Sequence, residues 1–377
     1  MSPFKLPFKK RFLVEEIVPY LLSHNKKPIV QQIREMNLLK TYYHYKPYHY
    51  INYHMYLNSF NDDILDYIPP RILQSYRDKV NPREVIDKVE NKIIFSKIMA
   101  AKKLPALSNL FIISRDREIR DMEAKLVEFD DFIEFLISSG NREIFVKPVT
   151  GIAGREAYKV ILHHGSMMFN SENIIGKDSF YNRLFNQSKY KEFIVQKMFR
   201  QHALLDQINH ASVNTIRIHT FVDKGHVLCN AAYLKASTGG ECVDNWSKGG
   251  IEVRVDLESG ILCANGRIPS RSKNSLYGVR SIQEHPVSGF RFQGTAIPFW
   301  DGVKKLVCSA ALVLLPLRWL GWDVAIGKDG PVLVEANHNH DVFFMQTLVG
   351  GLRKTSIGRE ILQLPVTKEL IATDAIK

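Results

Sequence analysis

The stretch GWDVAIGKDGPVLVEANHNHD, residues 321–341, carries two apolar runs, WDVAIG and PVLVEAN, joined by the tight connection Lys328-Asp329-Gly330. Alternation of this kind around a short loop with glycine at its left-handed position predicts an antiparallel hairpin with a three-residue turn. In that register Asp323 stands directly opposite Glu335, where Cβ atoms lie about 4.5–5.5 Å apart. Asn337 is two residues beyond Glu335 and so shares its face. Two carboxylates and an amide oxygen converging there repel each other and lose hydration unless a cation joins them, and hard oxygen donors suit Mg²⁺. The plainer alternative is an exposed hairpin with an acidic face. A one-residue slip in register would turn Glu335 away from Asp323.

Upstream, FVKPVTGIAGREAYKV (residues 145–160) ends a strand at Lys147 and enters a loop holding Gly151 and Gly154. Glycines let backbone N–H groups approach phosphate oxygens, and a lysine rooted in the adjacent strand adds a fixed positive charge. A simple glycine hairpin is the competing reading. The segment lacks the GK[ST] ending of a Walker A loop and the GxGxxG of a dinucleotide fold.

The rest of the pattern is α+β with antiparallel sheets. EFIVQKMF, VNTIRIHTFV, HVLCNAAYLK and IEVRVDL are β-rich, with turn signals DKG and ESG between them. Residues 82–101 show helical periodicity closed by Pro105, and residues 121–140 predict a second amphipathic helix stopped at Gly140. The organisation expected is an aromatic-rich helical module at 1–90, a first lobe with the glycine loop at 91–190, a second lobe at 191–346 and a C-terminal tail or helix at 347–377. In the run TYYHYKPYHYINYHMY (41–56) the rings could stack on sugars or bases, but packing of the helical module is the simpler expectation.

Composition bounds the chemistry. A 377-residue chain that is 45% hydrophobic and 24% charged is ordinary for a globular enzyme, and a formal charge of +12 favours an anionic partner: nucleotide, nucleic acid, acidic sugar or membrane surface. Cys229, Cys242, Cys263 and Cys308 show no CxxC spacing, which argues against a zinc knuckle or disulfide framework and suits a reducing cytoplasm. The basic N-terminus lacks the apolar core of a secretory signal. The apolar run 306–320 is shorter than the roughly 20 residues of a membrane span and contains Pro316 and Arg318, so it reads as a buried helix.

A lysine on a strand, a glycine loop, an apolar strand turning polar and a terminal hairpin ending in E-x-N occur in one order, and that order resembles the ATP-grasp superfamily. VNTIRIHTF, GGECVDNWSKGGIEVRVD and LGWDVAIGKDGPVLVEAN look most like its sugar-transfer-associated branch, related to glutamate-ligase-like enzymes; the likeness covers residues 92–346. The resemblance implies an ATP-grasp fold, two α+β lobes with antiparallel sheets clamping ATP, after a mainly helical N-terminal module. It implies that Lys147 holds the α/β-phosphates under a lid of Gly151 and Gly154, and that Lys92 or Lys97, with Lys97 preferred, is the first nucleotide lysine. Gln196, Lys197 and Met198 would meet adenine, although Lys197 stands where an acid is frequent in the family. Asp323, Glu335 and Asn337 would hold two Mg²⁺ ions, with Mn²⁺ able to replace them. Arg217 would face the transferred phosphate, and Lys235, Asn245 and the Gly249-Gly250 pair would lie near the acceptor pocket.

The activity implied is an ATP- and Mg-dependent carboxylate–amine ligase passing through an acyl phosphate, in polysaccharide or cell-envelope biosynthesis, with a small-molecule or glycan carboxylate and an amine as substrates. No GxSxG elbow is present, and phosphoryl transfer needs none. A kinase acting on a sugar or alcohol at the same site, and a non-catalytic glycan- or nucleic-acid-binding accessory, are the alternatives; nucleic acid is the weaker partner. A cytoplasmic protein is expected, with a basic N-terminus that could hold it at a membrane surface without entering it. Replacing Asp323 or Glu335 is expected to leave the fold largely intact.

Overall fold

The computed structural model describes residues 17–44, 47–140, 143–151, 156–163, 166–169, 172–175, 177–186, 188–239, 249–270 and 278–363. Its strands are β1 (Asn109–Ser114), β2 (Ile119–Asp121), β3 (Leu126–Val127), β4 (Glu143–Pro148), β5 (Tyr158–His163), β6 (Ser166–Phe169), β7 (Glu172–Ile175) and β8 (Glu192–Lys197). They continue as β9 (Thr215–Asp223), β10 (His226–Ala236), β11 (Ile251–Val255), β12 (Leu262–Ser270), β13 (Gly278–Ile282), β14 (Trp319–Gly327) and β15 (Gly330–Asn337). One sheet has the order β3-β2-β1-β8-β4-β5-β6-β7 and the other β13-β12-β11-β10-β9-β14-β15, so the α+β, two-sheet expectation holds. The described residues gather into two compact units, one drawn from Met1–Val80, Arg267–Ile282 and Asn339–Lys377, the other from Asn81–Gly266 and Gln283–His338.

In the larger unit the first sheet has one apolar and one functional face, as strict alternation requires. On β4, Ile144 and Val146 are fully buried in a core with Phe132, Leu136, Phe180 and Leu184, contributed by the helices Phe129–Ser138 and Lys177–Phe185. Phe145 and Lys147 therefore point the other way. In the second sheet, β9 and β10 close through Lys224 and Gly225, both at positive φ (47° and 85°), the pair of left-handed residues that a two-residue hairpin turn demands. The helix Trp300–Val313 packs on β9 and β10 and buries Val303, Val307 and Ala310.

Several local expectations are corrected. Residues 82–101 do not form one helix. Asn91 takes an extended conformation (φ −87°, ψ 108°), and its side chain accepts from Ile93 N at 2.9 Å and Ile94 N at 3.2 Å, so a new helix starts at Lys92–Ala101. Of residues 121–140 only Phe129–Ser138 is helical, because the Asp121 carboxylate accepts from Glu123 N and Lys125 N, both at 2.9 Å, and folds a turn. The apolar run 306–320 is helical only as far as Val313, and Pro316, which has no amide proton, lies in the connection to the strand that starts at Trp319.

The smaller unit buries four rings of the aromatic run, while Tyr42 is half exposed and Tyr45 lies outside the described residues. Tyr43, Tyr50, Tyr53 and Tyr56 are all buried, and Tyr43 Oη donates to Leu65 O at 2.7 Å. Gln346, fully buried, donates from Nε2 to Tyr53 Oη at 2.8 Å and to Ile68 O at 2.7 Å, and accepts from Ile68 N at 2.9 Å. The amphipathic rings thus place their apolar bodies inside and satisfy their hydroxyls locally, as the packing reading expected. No described helix is long and apolar enough to cross a membrane.

Removing the cap should be felt locally. Asn91→Ala should lower stability by about 1 kcal/mol, measured by denaturant titration, while Asn91→Asp should retain most of it.

Candidate active site

The hairpin at the end of the second sheet reaches the expected register by an unexpected route. Gly327 pairs with Gly330, so the turn has two residues, Lys328 and Asp329, rather than three. Val324 pairs with Leu333, but Asp323 pairs with Glu335, because Val334 is an extra residue in β15. This one-residue bulge restores the Asp323/Glu335 register that a three-residue turn would have given directly. Asn337 lies on the same face, its Nδ2 donating to Glu335 Oε1 at 3.2 Å.

The same register carries across four strands. Tyr233 of β10, Arg217 of β9, Asp323 of β14 and Glu335 of β15 stand opposite one another in a single row. Arg217 forks onto Asp323, with Nε to Oδ1 at 2.5 Å and Nη2 to Oδ2 at 2.8 Å, and Lys235 Nζ approaches Oδ2 at 3.5 Å. The Arg217 and Asp323 side chains are 13% and 7% exposed, so this is a desolvated, bidentate ion pair rather than a surface one. Burial alone would raise the Asp323 carboxyl, but Arg217 and Lys235 hold it well below the usual carboxylate range. His219, behind the pair and fully buried, is pushed down to about 3 by burial and by Arg217, so its ring is neutral and adds no charge.

The functional face of the first sheet supplies a complementary row. Lys159, Phe145, Gln196 and Asn109 stand opposite one another on β5, β4, β8 and β1, with Lys147 two residues beyond Phe145 on the same face. Lys147 is buried, and that burial lowers its ammonium to about 8, against the attraction of Glu335 and Asp323 and with repulsion from Lys92. Lys92 opens the helix capped by Asn91 and donates from Nζ to Gly151 O at 3.0 Å; its pKa is lowered by burial against the pull of Glu335 and Glu90.

These groups line one cleft, which encloses about 1070 Å³ of empty space, part of it open to solvent. Lys92, Lys147, Lys159, Lys197, Lys235, Asp323 and Glu335 are its charged residues, while Leu107, Phe199, Val213 and Ala325 provide apolar walls and Gln196 and Met198 flank Lys197 at one edge. Its mixture of apolar walls with a few convergent polar groups is that of a small-molecule site.

The family model for sugar-transfer associated ATP-grasp matches residues 71–357, three quarters of this chain. The chain belongs to that family. No curated protein matches the sequence. Among solved structures, this ATP-grasp chain is similar to the D-cycloserine synthetase DcsG (14% identity, 79% of this chain and 78% of that one, TM-score 0.40). It is also similar to an L-amino acid ligase from Bacillus licheniformis (10% identity, 70% of this chain, TM-score 0.36), of which it spans only 44%. A third is the ATP-grasp ligase PsnB, complexed with minimal precursor, Mg and ADP (14% identity, 78% of this chain and 61% of that one, TM-score 0.36).

Of the residues singled out in the sequence, the ATP-grasp cleft gathers Lys147, Gly151, Gln196, Lys197, Met198, Lys235, Asp323 and Glu335. Asn337 reaches the site through Glu335, and Arg217 stands beside Asp323 rather than in the lining. Lys97 is exposed and is not among the lining residues, and Lys92 takes the place in the cleft for which Lys97 was preferred. Gly154 and Asn245 lie outside the described residues; Gly249 and Gly250 are described and buried. Sequence reading missed Lys159, Phe145 and the 212–215 segment. Of these, only Lys159 carried a signal, being at a same-face position on the partner strand of Lys147.

The Arg217–Asp323 pair also overturns the expectation that Asp323 is dispensable for folding. Asp323→Ala leaves a buried guanidinium without its partner and should destabilise the chain by about 3–5 kcal/mol in denaturant titration. Glu335→Ala removes no ion pair of that kind and should cost much less. The Asp323 contribution is fully present above the usual carboxylate pKa and is lost only as pH falls toward the depressed folded value, so it should not vary between pH 6 and pH 9.

Proposed function

We propose that this chain is an ATP- and magnesium-dependent carboxylate–amine ligase that forms an acyl phosphate, acting on a glycan or cell-envelope carboxylate. The observation that carries the reading is Asp323 and Glu335 side by side on one sheet, in the same cleft as Lys147 of the other sheet and Lys92 at the start of a helix.

The residues present fit the nucleotide. A chain of hydrogen bonds fixes the Gln196 amide: Ser96 Oγ donates to Ile93 O at 3.0 Å, Asn109 Nδ2 donates to Ser96 Oγ at 2.8 Å, and Gln196 Nε2 donates to Asn109 Oδ1 at 2.7 Å. Because the chain ends on a carbonyl, which can only accept, each donor is forced in turn and Gln196 Oε1 is left buried without a protein donor. An exocyclic amino group, as on adenine, supplies one. At the other end, Lys92, Lys147, Lys235 and Arg217 exceed the two carboxylates by two charges, which suits a magnesium-bound triphosphate.

They also fit magnesium. Asp323, Glu335 and Asn337 offer hard oxygens in a compact set, and phosphates and water would complete the coordination shell. When bound, the ion would neutralise charge developing on the transferred phosphoryl group.

In this reading a substrate carboxylate oxygen attacks the γ-phosphorus, the bond from that phosphorus to the bridging oxygen breaks, and ADP departs. The amine nitrogen then adds to the acyl carbon, the carbon–oxygen bond to phosphate breaks, and the nitrogen loses a proton. Lys147 and Lys92 orient the phosphates, and Lys235 stands beside Asp323 where an incoming anion would meet it. Arg217 keeps Asp323 ionised and in one rotamer. The apolar walls limit water, whose attack on the acyl phosphate would waste ATP.

Two measurements test this. Glu335→Ala should abolish ATP turnover, with melting close to that of the parent chain, in a screen of carboxylates and amines for ADP release followed by mass spectrometry of the product. Sustained turnover in that variant, or a stable phosphorylated sugar with no need for an amine, would sink the ligase reading. Nucleotide affinity should fall as pH rises through about 8, because Lys147 loses its proton there and a triphosphate favours the charged form. Calorimetry in buffers of different ionisation enthalpy should show proton uptake on binding above that pH, and Lys147→Arg should remove it.

A further inference from the structure

The helix Ile29–Tyr43 exposes large aliphatic side chains on the side turned away from its buried residues. Its inner side buries Gln32, Leu39 and Tyr43, and Gln32 Nε2 donates to Lys27 O at 2.6 Å. Its outer side exposes Val30 at 66%, Ile29 at 59%, Ile33 at 50% and Leu38 at 46%. The adjoining helix Val18–Leu22 adds Leu21 at 62% and Leu22 at 60%. Lys26 Nζ donates to Tyr20 O and Leu21 O, both at 3.1 Å, and so holds the end of that short helix in place. Six large aliphatic side chains so exposed, within 18 residues, are a patch rather than scattered surface residues.

The exposed charged residues on that side of the helix are cationic, and Glu35, on its flank, is paired with Lys27 at 3.1 Å. At 3.6 residues per turn, Lys40 falls on the stripe of Ile29 and Ile33, and Arg34 lies between Val30 and Leu38; both cations are exposed. Residues 1–60 hold nine Lys or Arg against three Asp or Glu, which places six of the chain's twelve net positive charges in that segment. Lys5, Lys9, Lys10 and Arg11 lie outside the described residues and enter by charge alone.

We infer that this face docks on an anionic phospholipid bilayer. The aliphatic side chains enter the boundary between headgroups and acyl chains while Arg34 and Lys40 meet lipid phosphates, the arrangement of a helix lying in the plane of the interface. A second copy of the chain fits less well, because a two-fold contact through this face would press two strongly cationic segments together. Exposed aliphatic residues also distinguish the surface from a purely electrostatic one for nucleic acid, which needs no apolar face.

Sedimentation of the full chain with vesicles tests the inference. It should pellet with phosphatidylcholine vesicles containing phosphatidylglycerol and remain in the supernatant with phosphatidylcholine alone, and added salt should weaken the binding. The double variant V30S/I33S should bind at least about tenfold more weakly with unchanged melting temperature, since both side chains face outward. R34Q/K40Q should also bind more weakly and lose part of the salt dependence. Failure to pellet with either vesicle, or full binding by V30S/I33S, would overturn the inference. So would a parent dimer that V30S/I33S converts to a monomer, which would assign the face to a second copy. A drop in the melting temperature of V30S/I33S would assign it to a segment of the same chain.

Discussion

The buried fork between Arg217 and Asp323 is the constraint on which the second sheet's chemistry depends. Asp323 sits in the middle of a strand whose residues are all buried, where an isolated carboxylate could not remain ionised. A guanidinium delivered by the neighbouring strand at the same register offsets that penalty, helped by the charge of Lys235 and by a hydrogen bond with Glu335. A lysine at position 217 could not match both carboxylate oxygens in one plane, which is why the pair is an arginine fork. Lys235, at 3.5 Å, adds charge rather than geometry.

The two sheets solve complementary problems with one device, the opposed cross-strand row. In the second sheet the row carries carboxylates held by cations; in the first it carries Lys159, Phe145, Gln196 and Asn109, with Lys147 beside it. Both rows are backed by apolar residues on the reverse face, such as Ile144 and Val146 in one and Ile216 and Val324 in the other, all fully buried. The hydrophobic core therefore fixes the strand registers, and the registers fix which charges meet.

Much of this was legible in the sequence because period-two patterning survives around the functional residues. The strands β4, β5, β8 to β11, β14 and β15, the face shared by Asp323 and Glu335, and the strand position of Lys147 follow from it, whereas β1 to β3, β6, β7, β12 and β13 were not read as strands. What was not legible depends on non-local pairing. The bulge at Val334 compensates a shorter turn, and no local signal separates that solution from a three-residue loop. Arg217 could be placed opposite Asp323 only once β9 was known to lie beside β14 across a gap of about a hundred residues. That Lys92 rather than Lys97 lines the cleft has a local reason: the Asn91 side chain caps a new helix and sets Lys92 at its first turn, beside Gly151. An asparagine in a helical pattern was the available clue.

The charge balance of the cleft bears on the order of events in the proposed reaction. In a site built of bare carboxylates, mutual repulsion favours early capture of a free divalent ion. Here Arg217 and Lys235 already neutralise Asp323, and Lys147 and Lys92 lie within the field of Glu335, so the protein alone gives a free cation little reason to enter. A triphosphate changes that balance, since its charge exceeds what the lysines offset and creates the demand that magnesium meets. Metal and nucleotide are then most stable in the cleft together, and departure of the phosphate product would loosen both. The same excess of positive charge lowers the cost of holding a second anion, the substrate carboxylate, beside the phosphates, which is the encounter that acyl phosphate formation requires.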